Sequence, residues 1–302
     1  MSGTIRTKYF TMVSMAAIPW QIKILAKLML SRLPAGYDFW QKLAMFRHGA
    51  MDKPEYAFSV FEKHWRESGL QAGPDVTVLE LGPGDSLASG LIGHAFGVGA
   101  TYLVDVGNYI SDKIEPYLQL HKLLTAKGLP QPDREALQDL AAVQSIYNIK
   151  YGYQGLASLK DIPDQSVDLI WSQAVLEHLR LHEFDDHLLE MRRILKPTGL
   201  CSHHIDLKDH LGGSLNNLRF SNNIWEAEWM ASSGFYTNRI RYSSMIKRFE
   251  QAGFQVEVVR VGHFPTLQIP VEKLAPEFQK LTAEELAVNR FKVLLRPAGR
   301  VG

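Results

Sequence analysis

Cysteine is nearly absent: of 302 residues, only Cys201 carries a thiol. An internal disulfide is therefore excluded and a cysteine-based zinc site has almost no ligands to draw on. A reducing, cytoplasmic compartment is the matching expectation. Charge imbalance is missing too, with 33 Lys and Arg against 32 Asp and Glu. A net charge of +1 gives no electrostatic footprint for nucleic acid or an acidic membrane. Internal repeats and low-complexity tracts are lacking, which removes solenoids and disordered arrays. Long apolar runs are lacking as well. Tyr9 to Trp20 is largely apolar behind Arg6 and Lys8, but Lys23, Lys27 and Arg32 interrupt its continuation before it reaches a bilayer's thickness. No small-residue cleavage site precedes that charged stretch. The segment reads as an amphipathic helix packed on the protein, with peripheral membrane contact as the alternative.

What is present is an ordinary globular composition, 46% hydrophobic and 22% charged, at a length that suits one α/β domain with additions. Residues 1–72 read as a helical extension, with one helix stopped at Pro34-Ala-Gly and another over Tyr56 to Ser68 stopped by Gly69. The turn cluster Gln71-Ala-Gly-Pro-Asp75 sets the boundary to the main domain, 73–302. Beyond it strands alternate with helices. Strands are expected at Val76–Leu81, Thr101–Val106, Val167–Ser172, Leu200–Leu207, Phe254–Val261 and Phe291–Leu295, with one more near Lys150–Leu159 where the pattern is poor. Helices are expected at Ser86–Phe96, Lys113–Ala126, Arg134–Ile146, Phe184–Leu195 and Ser244–Ala252. Such alternation predicts a mostly parallel sheet covered on both faces.

The first strand runs into Glu80-Leu-Gly82-Pro-Gly84-Asp85-Ser86. Glycines at a strand-to-helix turn let backbone approach a ligand, and the helix start favours a negative group. Asp105, ending the next strand, stands at the spacing at which a carboxylate meets ribose hydroxyls. The dinucleotide fingerprint of dehydrogenases fails, because its third glycine position holds Leu87.

Glu80-Leu-Gly-Pro-Gly84 resembles the first motif of class I S-adenosylmethionine-dependent methyltransferases. The stretch Asp164-Gln-Ser-Val-Asp168-Leu-Ile-Trp-Ser172-Gln-Ala-Val-Leu-Glu177-His178-Leu179 resembles the fourth-strand signature of the branch containing the ubiquinone and menaquinone C-methyltransferases. The resemblance spans roughly Val76 to Leu207. It implies a Rossmann-like, seven-stranded, mostly parallel sheet ending in an antiparallel hairpin. It also implies S-adenosylmethionine as methyl donor, with S-adenosylhomocysteine as product. By the same resemblance Glu80 meets the methionyl ammonium, directly or through water, Gly82 and Gly84 flank the methionine part, and Asp85 is counted among the cofactor-binding residues. Asp105 accepts from the ribose, Ser158 and Leu159 sit by the adenine, and Ser172 and Gln173 lie under the sulfonium. The third glycine of the usual motif is Ser86 here.

Groups beyond the strand ends face the acceptor in such folds. The richest cluster is His203-His204-Ile-Asp206-Leu-Lys208-Asp209-His210, where alternation places His204, Asp206 and Lys208 on one face. A His204–Asp206 pair is a candidate general base; the same residues as metal ligands, or as a junction cap, stay open, and a divalent metal is not favoured. The Glu177-His178 pair is a second candidate, with His178 as its catalytic member or the pair as a support for the loop after the fourth strand. Residues 211–243 read as a lid inserted after the fifth strand, in which Arg219, Tyr236, Asn238 and Arg239 are candidates for binding the acceptor; the alternative is a surface helix pair with core tryptophans and solvated arginines. The expected partner is a small molecule, favoured as a hydroxyl of a sugar or surface-polysaccharide precursor. A lipid-quinone or polyketide acceptor and a catalytically inactive scaffold are the alternatives. Oligomeric state is not legible.

Overall fold

The computed structural model describes Gln21, Ile22, Ile24 and residues 50–299. The expectations for Tyr9–Trp20 and for the stop at Pro34-Ala-Gly lie outside those residues.

Along the chain, α1 (Pro54–Ser68) leads into β1 (Gly73–Leu81), α2 (Ala88–Ala95), β2 (Val98–Val104) and α3 (Glu115–Ala126). Then come α4 (Leu140–Ile146), β3 (Ile149–Gly152), α5 (Leu156–Lys160), β4 (Val167–Gln173), α6 (Phe184–Ile194) and β5 (Leu195–Asp206). After two short helices, α7 (Asn222–Trp225) and α8 (Glu228–Ala231), the chain returns through α9 (Tyr242–Gln251) and β6 (Phe254–His263). It ends with α10 (Pro276–Gln279), α11 (Ala283–Ala287) and β7 (Val288–Pro297).

The seven strands form one sheet in the order β3-β2-β1-β4-β5-β7-β6. β1 to β5 are parallel, whereas β7 runs antiparallel to both β5 and β6. Both faces are covered, which is why the central strands are apolar in succession rather than alternating. Leu79, Leu81, Ile170, Cys201 and Val293 pack against α6 and α9 through Leu188, Met191, Met245 and Phe249. Val78, Leu103, Leu169 and Trp171 pack against α1, α2 and α3 through Phe61, Leu91 and Leu120. The apolar core on this face therefore runs across residue 72 and includes α1.

Three expectations change in detail. The helix foreseen over 134–146 is broken, because Asp139 adopts an extended backbone and its side chain accepts from Ala141 N to cap α4 afresh. β5 starts at Leu195, not Leu200; Leu195 pairs with Val167 and the register then shifts, so Lys196-Pro-Thr-Gly199 lies within the strand instead of ending its approach. Residues 264–287, between β6 and β7, add helices not foreseen in the sequence. There Phe264, Ile269, Leu274, Phe278 and Leu286 close a small core with Leu215 and Leu218 of the 211–243 segment. Trp225, Met230, Phe235 and Tyr236 form another with Leu211 and Ile24.

Candidate active site

The strand order reverses between β1 and β4, and the crevice beyond the C-terminal ends of such strands is where ligands bind in open α/β sheets. The loop after β1 enters this crevice. Gly82 has φ +71, and a side chain there would strike Val175 Cγ2 at 2.5 Å, so glycine lets the loop press against the residues following β4. Gly84 has φ +67. Its amide donates to Asp105 Oδ2 at 3.1 Å, while Val106 N donates to Asp105 Oδ1 at 2.7 Å. Burial nevertheless pushes the Asp105 carboxyl up to about 6.

Glu80, in the same crevice, is 2% exposed. Burial pushes its carboxyl up to about 8, the Ser89 hydroxyl acting against that rise and Asp105 adding to it. Glu80 Oε2 has no hydrogen-bond partner among the described residues. A buried acceptor left unpaired costs free energy unless something donates to it, and an ammonium group would do so. Asp85 is buried beside the loop, and its carbonyl accepts from Ser111 N at 3.0 Å. Ser158, on α5, is half-buried and its hydroxyl accepts from Gln154 N. Leu159 lies elsewhere: its side chain is fully buried in the core beneath β1 and β4.

At the end of β4 the two faces differ. Ser172 is fully buried and bonds His203 Nδ1 at 2.8 Å. Gln173 faces α1 instead, where it reaches both His204 Nδ1, at 3.2 Å, and His64 Nε2, at 3.4 Å. Ala174 then takes φ +56, a left-handed backbone uncommon for alanine, with its amide held by the His204 carbonyl at 2.8 Å. His204 and Asp206 are both half-buried at the mouth but bond different partners. His204 bonds Gln173, whereas Asp206 pairs with Lys208 Nζ at 3.1 Å and accepts from Lys208 N at 3.0 Å. Burial, then the charge of Lys63, holds His204 below the usual imidazole range. His178 is exposed, its Nδ1 bonded to the Tyr236 carbonyl and its ring against His210.

Glu177, named from sequence only as the neighbour of His178, is the second fully buried carboxyl here. One oxygen accepts from Asp206 N at 3.1 Å and the other has no partner among the described residues. Burial and the Asp206 charge push it up to about 8. Because that value lies above its ordinary 4.5, Glu177 stabilises the fold fully below pH 4.5. The contribution is lost as pH rises through about 8. Glu80 has the same sign. Thermal melts of the cofactor-free protein at pH 6 and pH 9 should therefore show a fall in Tm on the alkaline side. The fall should be smaller in Glu177→Gln, and an unchanged pH dependence in that variant would refute the assignment.

The 211–243 segment is anchored at both ends. Asp209 accepts from Leu211 N, Ser214 N and Asn216 N, while Arg241 donates to the carbonyls of Leu207, Glu285, Leu286 and Val288. All four of its candidate side chains are hydrogen-bonded within the fold, to the segment itself or to the loop after β4. Tyr236 donates to Glu226 and accepts from Leu181 N; Asn238 donates to the carbonyls of Leu176 and Leu179. Arg239 is buried, bonded to the Phe220 and Asn217 carbonyls and to Asn222, with Trp225 and Phe278 rings beside it. Burial pulls its guanidinium down to about 10. Arg219 is half-buried and bonds Asn216. Among the described residues no group of three or more His, Cys, Asp or Glu could hold a metal ion, and no helix is long and apolar enough to cross a membrane.

Sequence reasoning missed the polar layer under α1. His64 is 1% exposed, sandwiched against Trp171 at 4.9 Å between ring centres, and Lys292 is buried against Glu67. A signal was there: Phe61, His64 and Trp65 share one helix face, which puts an imidazole on an otherwise apolar stripe.

The fold defines the class as a Rossmann-like α/β domain with a seven-stranded, mostly parallel sheet. Residues 129–202 match a family model described as "Methyltransferase domain". The match runs from before α4 into β5 and leaves the glycine loop outside it. Among solved structures, a chain of the Haloferax volcanii Trm112 methyltransferase activator complex is similar at 14% identity and TM-score 0.43, covering 94% of this chain and 100% of that one. Haemonchus contortus phosphoethanolamine N-methyltransferase 2, bound to phosphomonomethylethanolamine and S-adenosylhomocysteine, is similar at 11% identity and TM-score 0.45, over 80% of this chain and 53% of that one. A geranyl diphosphate methyltransferase in complex with SAM is similar at 12% identity and TM-score 0.43, over 80% and 85%. These are distant likenesses.

Proposed function

We propose that the chain is an S-adenosylmethionine-dependent methyltransferase acting on a small-molecule acceptor. One observation carries this reading: a fully buried Glu80 with an unpartnered oxygen, set at the switch point beside Gly82, Gly84 and Asp105. The match over residues 129–202 supports the same activity.

When bound, the cofactor supplies an electrophilic methyl group on sulfur. Glu80 receives its ammonium, Asp105 accepts from its ribose hydroxyls, and Asp85 and Ser158 flank it. Ser172 and Gln173, on opposite faces at the β4 end, would stand near its sulfur. The protein's contribution is then chiefly positioning. The acceptor is placed at the mouth between β4, β5 and the 211–243 segment, with His204, Asp206 and Lys208 at the β5 end and His178 in the loop after β4. This polar lining favours a hydroxyl-bearing acceptor such as a sugar or surface-polysaccharide precursor. In domain terms, 73–302 is the methyltransferase domain, 211–243 its lid, and 1–72 an extension whose α1 completes the core.

Calorimetric titration with S-adenosylmethionine tests the reading. Saturable one-to-one binding is expected, and no binding would overturn it. Asp105→Ala should weaken that binding by about 1–3 kcal/mol, the loss expected when hydrogen bonds to a buried polar group are removed. Wild-type affinity in Asp105→Ala would exclude the ribose assignment.

A further inference from the structure

The polar layer between α1 and the sheet contains a continuous chain of side chains. Ser202 Oγ lies 2.7 Å from His64 Nδ1, His64 Nε2 lies 3.4 Å from Gln173 Oε1, and Gln173 Nε2 lies 3.2 Å from His204 Nδ1. Register explains the assembly. Trp171 pairs with Ser202, and Gln173 pairs with His204, which in turn pairs with Lys292, so these side chains lie in adjacent rows on the face that α1 covers. His64 reaches down from α1 and touches both rows.

We propose that Ser202, His64 and Gln173 are positioning residues that fix which nitrogen of His204 carries its proton, making neutral His204 a hydrogen-bond donor through Nε2. This rests on the reading above that His204 stands at the acceptor's place. The direction of the chain follows from donor and acceptor counts. Ser202 is fully buried, and His64 Nδ1 is its one hydrogen-bond partner among the described residues. A buried hydroxyl proton left unbonded is costly, so Ser202 donates and His64 Nδ1 accepts. His64 is neutral: burial, then the charge of Lys292, holds it well below the usual imidazole range. Its single proton therefore sits on Nε2 and is donated to the Gln173 carbonyl oxygen. That leaves the Gln173 amide NH₂ to donate to His204 Nδ1. A neutral His204 accepting at Nδ1 must carry its proton on Nε2.

The functional consequence is specific. Neutral His204 has no free lone pair on Nε2 and is not a general base there, which replaces the base role expected from the sequence. It holds an acceptor oxygen as a donor instead. An acceptor that must lose a proton gives it to another group or to water.

The test is ring-nitrogen NMR of the full chain labelled with ¹⁵N-histidine, with His204 and His64 assigned by the loss of their signals in His204→Asn and His64→Phe. Two-bond proton–nitrogen correlations separate the two neutral tautomers. His204 is expected as the Nε2–H form in the wild type. In Gln173→Glu the carboxylate accepts from both rings, so His204 should convert to the Nδ1–H form. In His64→Phe the bias on the Gln173 amide is lost, and His204 should become a mixture. Ser202→Ala, a smaller change for a case where His64→Phe does not fold, should shift the His64 spectrum and then that of His204. A wild-type His204 in the Nδ1–H form, or a His204 spectrum unmoved by both Gln173→Glu and Ser202→Ala, would overturn the proposal. Cofactor titration reads out separately. Retained S-adenosylmethionine binding with an unmoved His204 spectrum sinks this inference alone, whereas absent binding sinks the enzyme reading.

Discussion

Glu80→Gln should bind S-adenosylmethionine about 10- to 150-fold more weakly than the wild type, the equivalent of about 1.5–3 kcal/mol for a hydrogen bond to a charged group. The amide keeps the shape of the carboxyl and removes its charge, so the deficit isolates the ionic part of the contact. A second effect accompanies it. Glu80 holds its proton up to about pH 8 in the cofactor-free protein, yet must release it to receive an ammonium. Wild-type affinity should therefore rise about tenfold per pH unit between pH 6 and 8, with one proton released per cofactor bound. Below about 6, where Asp105 also takes up a proton, the rise with pH should be steeper. Above about 8 the α-amino group of the cofactor itself loses its charge and the rise ends. Calorimetry in two buffers of different ionisation enthalpy counts the protons. Glu80→Gln should show no release between pH 6 and 8, and a wild-type affinity flat over that range would remove Glu80 from the ammonium site.

The largest effect on stability is expected far from the chemistry, at Gly99. A Cβ built there would stand 1.7 Å from the Pro74 carbonyl oxygen and 2.5 Å from its carbon, both main-chain atoms. The Pro74 segment has little freedom to step aside. Gly73 pairs with Val98 and Thr77 with Ala100, so the bulge carrying Pro74 is pinned on both sides of Gly99. Gly99→Ala should cost about 3 kcal/mol or more, which for a domain of this size lowers Tm by roughly 6–12 °C. Gly212→Ala is the control, since nothing lies within 4 Å of a Cβ there. It should stay within about 0.5 kcal/mol of the wild type. Equal melting of Gly99→Ala and wild type would show that β1 and β2 approach each other differently from the arrangement described.

How much of this was legible in the sequence depends on the range of each interaction. Val76–Leu81 and Val167–Ser172 announce themselves because buried parallel strands are apolar without interruption. Asp105 can be singled out as a candidate because it follows the next strand at a fixed spacing from the glycines. β3 was hard to place because only Ile149 of its four residues is buried, leaving almost no pattern. The pairing of His204 was misjudged for a different reason. Strand alternation correctly put His204 and Asp206 on one face, but gave no sign that Lys208 would take the carboxylate. Nor could it show that His64, 109 residues before Gln173, would reach that glutamine. Tyr236, Asn238 and Arg239 read as ligand-binding because polar and aromatic residues were interleaved. In the fold Arg239 satisfies the carbonyls of Asn217 and Phe220, while Asn238 and Tyr236 tie the segment to residues 176–181.

The place of β7 has a consequence for how the molecule is made. It is the last strand in the described chain, yet it lies between β5 and β6. During synthesis β6 leaves the ribosome with no neighbour to pair with, and β5 keeps an open edge until residues 288–297 follow. Lys292 arrives only then, to lie beside His204. A nascent chain can thus form the glycine loop, Glu80 and Asp105 while the His204 side is still unfinished, so the half of the site proposed for the methyl donor matures before the half proposed for the acceptor.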